Sequence, residues 1–152
     1  MREILFRGKR VDNGEWVEGT PLYLIHEYSD KKFTMIVPLG TEFGCAELDD
    51  GYEVIPETVG QYTGLTDKDG KKIFEGDLLQ YMWVNWRGDV TPEDMFEVHF
   101  DLGRGGWFPF ANGDGCGCCE VHTYQPDSDG YVKNFRVIGN IHDNPTVKAL
   151  RK

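Results

Sequence analysis

The sequence predicts an all-β fold, mostly antiparallel, in two halves and closed by a short C-terminal helix. Three observations lead there. Nineteen glycines and seven prolines in 152 residues interrupt regular helix and favour short strands joined by tight turns. The apolar runs are short and rich in β-branched and aromatic residues. The densest block of strand and turn signals, Pro56 to Leu79, contains Asp69-Gly70, a dipeptide suited to a hairpin turn because glycine takes positive φ without a Cβ clash.

Taken in order, Ile4-Leu5-Phe6 begins a first strand and Asp12-Asn13-Gly14 is the turn that ends it. Trp16-Val17 and Leu22 to Ile25 make a second strand that Gly19 and Pro21 are expected to break or bend, since proline cannot donate to a central ladder. Lys32 to Pro38 is β-rich, and period-two counting puts Phe33, Met35 and Val37 on one face. Gly40 to Gly51 is acidic and reads as a loop, and Tyr52 to Ile55 returns to strand before Pro56. Val59 and Tyr62 mark the next strand, and Ile73-Phe74 and Leu78 to Tyr81 the returning runs, with strand character from Leu79 to Trp86. Asn85 to Glu93 reads as a surface loop. From Glu93 to Phe100 the pattern alternates, with Met95 or Phe96 towards the core and Val98 and Phe100 continuing the Phe96 face, and Trp107 to Phe110 returns after a turn at Gly103 to Gly106. Val121 to Tyr124 is a further candidate strand and Phe135 to Ile138 the last. Asn144-Pro145 then offers an N-cap and an N1 proline, so Thr146 to Lys152 is expected to form about two turns of helix.

Two windows resemble each other. Gly8 to Gly14 and Gly64 to Gly70 are each six apart, each closes on Asn-Gly or Asp-Gly, and each is followed by an aromatic and an aliphatic residue before Glu-Gly (Trp16-Val17-Glu18-Gly19 and Ile73-Phe74-Glu75-Gly76). They fit two related hairpins, one in each half of a single domain spanning 1–152, with halves of 1–58 and 59–152.

The formal charge is −10, from 16 basic and 26 acidic residues. Nucleic-acid binders usually carry a basic stripe that displaces counterions from phosphate. Here the basic residues cluster only at Arg2, Arg7, Lys9 and Arg10 and in the tail Lys148, Arg151 and Lys152, which argues against nucleic acid and against an acidic membrane surface. No apolar run approaches the ~20 residues of a membrane span. Met1 to Gly8 reads as a strand rather than a leader, so the expected compartment is the cytoplasm, where the four cysteines are expected to be reduced.

Val59 to Leu78, Val137 to Pro145 and the opening Ile4 to Arg10 with Trp16 to Gly19 together resemble the YopX family of phage and prophage proteins. The resemblance spans Ile4 to Leu150. It implies a mostly β fold of barrel-like halves and a phage or prophage origin, and it carries no activity onto any residue. Trp83 to Tyr131 matches no known pattern and reads as this chain's own variable region.

Candidate chemistry is sparse. Cys116, Cys118, Cys119 and His122 form Cys-x-Cys-Cys-x-x-His, with Cys45 and His99 as remote partners for a zinc ion. Adjacent side chains point apart in a strand, so Cys118 and Cys119 share one ion poorly, and free thiols in a glycine-rich loop is the plainer reading. A cysteine nucleophile would need His122 as its base, in hydrogen-bond reach. Asp67, Asp69, Glu75 and Asp77 suggest a calcium loop, but the spacing departs from the EF-hand pattern: Glu75 stands five rather than six after Gly70. A charged turn is the simpler account. Trp83, Trp86, Trp107, Phe108 and Phe110 suit a core or a protein interface.

The expectation is therefore an accessory protein, not an enzyme, with no cofactor, acting through an unidentified protein partner of host or phage or as a homo-oligomer. The alternatives are a nucleic-acid-associated barrel using Arg2, Arg7, Lys9 and Arg10, an acidic DNA mimic in phage–host regulation, and a small zinc-binding module.

Overall fold

The computed structural model of the chain describes residues 3–26, 28–40, 51–84, 87, 90–103, 105–111, 131–132 and 135–144. The chain forms two compact units, Met1–Tyr62 and Thr63–Lys152. Among the described residues, everything regular is β-strand apart from one turn of 3-10 helix, Pro56–Thr58. The expected C-terminal helix and the candidate strand from Val121 to Tyr124 lie outside the described residues.

The first unit is built from β1 (Phe6–Lys9), β2 (Trp16–Ile25), β3 (Lys32–Val37), β4 (Tyr52–Val54) and the start of β5 (Gly60–Asp67). β1 pairs with β5 and with β2, β2 with β3 and β3 with β4, all antiparallel. A bridge from Arg10 to Val54, with Val11 N–H donating to the Glu53 carbonyl (2.9–3.0 Å contacts flank it, including Ile55 N–H to the Lys9 carbonyl), returns β4 to the end of β1. The unit is thus barrel-like without a full closing ladder.

β2 is one unbroken strand of ten residues rather than two pieces. It is broken only in its partnership: Trp16 to Gly19 pair with β1, and Thr20 to Ile25 with β3. Gly19 stands at the change of partner, where an added Cβ would lie 1.9 Å from the Val37 carbonyl oxygen, so the two backbones approach too closely for any side chain. Pro21 pairs with Ile36 beyond the end of β1, where a missing N–H leaves no rung unmade on that edge.

β3 buries side chains of both its faces. Thr34 and Ile36 are buried, while Phe33 and Met35 are half-buried, and Val37 is buried where Gly19 presses on it. The core of the unit comprises Leu5, Ile36, Val37 and Val54. Thr58 fastens β1 to the 3-10 turn: its hydroxyl donates to the Ile55 carbonyl (2.6 Å) and accepts from Lys9 N–H (2.8 Å).

The second unit contains the end of β5, β6 (Lys72–Phe74), β7 (Asp77–Val84), β8 (Val90–Asp101), β9 (Gly106–Ala111), β10 (Tyr131–Val132) and β11 (Phe135–Asn140). β6 and β10 pair with β5, β10 in parallel. The other strands form an antiparallel sheet in the order β11-β7-β8-β9. β8 begins at Val90, so Val90 to Glu93 are strand where a loop was expected. Pro92 is carried opposite Met82, next to a register shift between Gln80 and Met82, the sort of irregularity that tolerates a proline within a ladder.

Of the two settings left open for β8, the core takes the Phe96 face: Phe96 and Val98 are buried, Met95 is half-buried, and Phe100 at the strand's far end is exposed. Ile73, Leu79, Phe96, Val98, Phe135 and Val137 form the core cluster, with Leu65, Tyr81 and Trp107 packed on it. The Phe135 ring meets Phe96 edge-on at 5.8 Å and Tyr81 at 5.3 Å, arrangements that suit aromatic quadrupoles.

Candidate functional site

The acidic turn that suggested a calcium loop is a knot of backbone hydrogen bonds. Asp67, at the end of β5, is buried, and its Oδ1 accepts from the N–H groups of Asp69 and Lys71, both at 2.9 Å. Its Oδ2 accepts from Val137 N–H on β11, also at 2.9 Å. A carboxylate with three backbone donors has little capacity left for a metal. Asp77, equally buried, accepts from Phe74 N–H through Oδ2 (2.8 Å) and closes the Glu75-Gly76 turn. Gly70 (φ +81°) and Gly76 (φ +79°) occupy the left-handed region those turns require.

Three consecutive turn residues hold three consecutive residues of β11. Asp67 binds Val137 N–H, Lys68 N–H donates to the Phe135 carbonyl (3.1 Å), and the Asp69 carboxylate accepts from Arg136 Nε (2.8 Å). Lys68 Nζ also reaches Asp69 (2.9 Å), and these two cations, Lys68 first, hold the Asp69 carboxyl below its usual range. At the other end of β11, Asn140 Oδ1 accepts from His142 N–H, and the Asn140 carbonyl accepts from the N–H of Asp143 and Asn144. Ile141 N–H donates to the Gly76 carbonyl (3.0 Å). The two distant sequence blocks therefore meet as one structural lock.

The N-terminal basic cluster is largely engaged. Arg7 is buried with its guanidinium 4.6 Å from the Trp16 ring centroid. Arg10 covers the Tyr52 ring at 4.1 Å and grips Asp12 with two nitrogens, the Nε bond at 2.9 Å. That grip raises the Arg10 pKa and lowers that of Asp12. Arg2 lies outside the described residues. A phosphate backbone would have to displace these partners, so the cluster is not arranged as a ready basic stripe.

Cys45, Cys116, Cys118, Cys119 and His122 lie outside the described residues. His99 is on β8, opposite Phe108 of β9. Among the described residues no group of three or more His, Cys, Asp or Glu side chains gathers as a metal site needs. No helix among them is long and apolar enough to cross a membrane.

Sequence reasoning missed a row of large apolar side chains at the surface. Tyr23, Ile25 and Tyr28 are 74%, 64% and 87% exposed. Tyr23 and Ile25 lie in the outer half of β2, beyond the residues that pair with β1, with the end of β4 reaching only the level of Tyr23 through Thr34, and Tyr28 is in the turn that follows. The sequence signal was the unbroken apolar run Leu22 to Ile25: a strand apolar on both faces has one set of side chains to spare wherever only one face is covered.

A family model for the YopX protein matches residues 5–147, and the chain belongs to the YopX family. No curated protein matches it. Among solved structures, it is similar to the crystal structure of protein EF1440 from Enterococcus faecalis, with 26% identity over 95% of this chain and 97% of that one, at a TM-score of 0.48.

Proposed function

We propose that this YopX-family chain is a phage- or prophage-encoded accessory protein of the bacterial cytoplasm, working without catalysis by binding a protein partner or a second copy of itself. The exposed Tyr23 and Ile25, two apart on β2 and so on one face, carry the reading together with Tyr28, exposed in the turn beyond them, because exposed tyrosine and aliphatic groups are the usual material of protein contacts. The acidic residues of the family block support it: Asp67 and Asp77 are committed to backbone donors rather than aimed at a substrate.

The test combines cross-linking in the host with mutation. Lys31 and Lys32 flank the row, so cross-links to the partner, or between copies, are expected at these two lysines. A Tyr23→Lys, Ile25→Lys double variant should weaken the association about tenfold or more while leaving thermal unfolding nearly unchanged. Association indifferent to that variant would sink the assignment of the surface. Turnover in a broad substrate screen that vanished in Cys116→Ser or His122→Ala would sink the non-catalytic reading.

A further inference from the structure

Pairing leaves one edge of β2 open. Arg10 N–H donates to the Glu15 carbonyl (2.9 Å), so in the ladder that continues from it Val17 and Gly19 turn their backbone N–H and C=O groups towards β1. His26 N–H donates to the Lys31 carbonyl (2.8 Å), so Leu24, Leu22 and Thr20 turn theirs towards β3. Both ends give the same alternation: Pro21, Tyr23 and Ile25 aim their backbone at the side that β1 occupies further back, and β1 stops at Phe6, opposite Gly19. Among the described residues no strand pairs with these positions on that side. The edge therefore offers N–H and C=O groups at Tyr23 and Ile25 and a carbonyl alone at Pro21. Thr20 to Ile25 carry no charge, although open sheet edges are commonly guarded by charged side chains.

We infer that this edge takes the same edge of a second copy, β2 pairing antiparallel with the partner's β2 about a two-fold axis. The inference rests on the reading of Tyr23 and Ile25 as a protein contact and gives that contact its occupant. Pro21 selects the register. With Tyr23 opposite the partner's Tyr23, Pro21 would face the partner's Ile25 and leave its carbonyl without a donor. With Tyr23 opposite the partner's Ile25, the N–H and C=O groups of both residues are satisfied in both copies. Tyr23 and Ile25 of the two copies then share one face as cross-strand aromatic–aliphatic pairs. The partner's His26, where its turn begins, falls opposite Leu22, short of Gly19 where pairing with β1 starts, so the two hairpins fit side by side. The strand is thus its own complement. Each copy carries a formal charge of −10, and the uncharged edge is where two such copies meet with least repulsion.

Sedimentation equilibrium of the unmodified chain across protein concentration and salt tests this. A monomer–dimer equilibrium is expected, tightening about tenfold between ~50 mM and ~0.5 M sodium chloride as screening weakens the repulsion between copies. Ile25→Pro removes a donor from the open edge and none from the β3 ladder, and should weaken the dimer about tenfold or more. Leu24→Cys keeps the edge intact and should be trapped on oxidation as a disulfide-linked dimer, because residues opposed without exchanging hydrogen bonds lie about 4.5 Å apart at Cα. Tyr23→Cys, whose two copies lie on a diagonal at roughly 7–8 Å, should cross-link far less. Peptide mapping separates these links from those of the native cysteines. A chain that stays monomeric to about 1 mM in high salt would overturn the self-pairing. The wider reading of a protein contact survives that result if Lys31 and Lys32 still cross-link to a different protein in the host, and falls with it if those cross-links are indifferent to Tyr23→Lys, Ile25→Lys. A dimer that Ile25→Pro leaves intact, or that Tyr23→Cys traps as readily as Leu24→Cys, would overturn the self-pairing as well.

Discussion

The hairpins at 7–19 and 63–76 share a spacing of glycines and differ in what holds them. Both turns end on a glycine in the left-handed region, Gly14 at φ +73° and Gly70 at φ +81°. In the first, the supports lie outside: Arg10 grips Asp12, Asn13 Oδ1 accepts from Glu15 N–H, and Val11 is exposed. In the second, the residue at Val11's place is Asp67, buried, with three backbone N–H groups on its carboxylate. The glycines downstream differ too. Gly76 takes φ +79° in the turn between β6 and β7, whereas Gly19 lies within β2 and is required by the nearness of Val37. One letter pattern thus serves a turn whose supports are at the surface and a turn that organises a core.

Breaking the difference at its deepest point should cost most. Asp67→Ala leaves three backbone N–H groups without their acceptor, two of them in the turn and one on β11, and should lower stability by about 4 kcal/mol in urea unfolding. Gly19→Ala must push the Val37 backbone away, and a loss of about 3 kcal/mol is expected, against the fraction of a kcal/mol that Gly→Ala usually gains or loses in open strand. Gly70→Ala meets nothing within 4 Å and suffers only the left-handed backbone, so about 1 kcal/mol should be lost, and Gly70→Asn should lose less.

The smallest effects belong to the exposed acids. Asp12 and Asp69 both have depressed carboxyl pKa values, from Arg10 in one case and from Lys68 and Arg136 in the other. Each therefore favours the folded state at neutral pH, and the gain disappears as pH falls through the folded-state value. Asp12→Asn and Asp69→Asn should flatten the acid limb of stability against pH slightly, with 1 M salt masking much of the change because the pairs are exposed. An Asp12 effect as large as that of Asp67 would erase the contrast between the two hairpins.

Turns and alternation made much of this fold legible in the sequence. Asn13-Gly14 and Asp69-Gly70 announce their turns because the required φ is a local property, and Phe96 with Val98 announces a buried face because β8 lies in a sheet with one well-defined core side. In β3, counting by twos groups Phe33, Met35 and Val37 on one face but does not say which face is covered: Ile36 and Val37 are consecutive and both buried. β2 was misread because a glycine and a proline within five residues mark a change of pairing partner there, and pairing is not local. The role of Asp67 was invisible for the same reason: its decisive partner is Val137. The surface row at Tyr23 and Ile25 was equally hidden, since hydrophobicity tells which residues benefit from cover and not which receive it.

The separation between Asp67 and Val137, 70 positions along the chain, also bears on how the protein comes into being. Synthesis delivers the 63–76 hairpin long before Val137 leaves the ribosome. In that interval the Asp67 carboxylate has its two turn amides but lacks its third donor, and the aromatic core lacks Phe135. Closing so long a loop adds only about 0.6 kcal/mol for each doubling of its length, so the delay is a matter of order rather than of affinity. The nascent second unit is then a set of strands awaiting its last member, and its folding rate should be set by the arrival and search of β11.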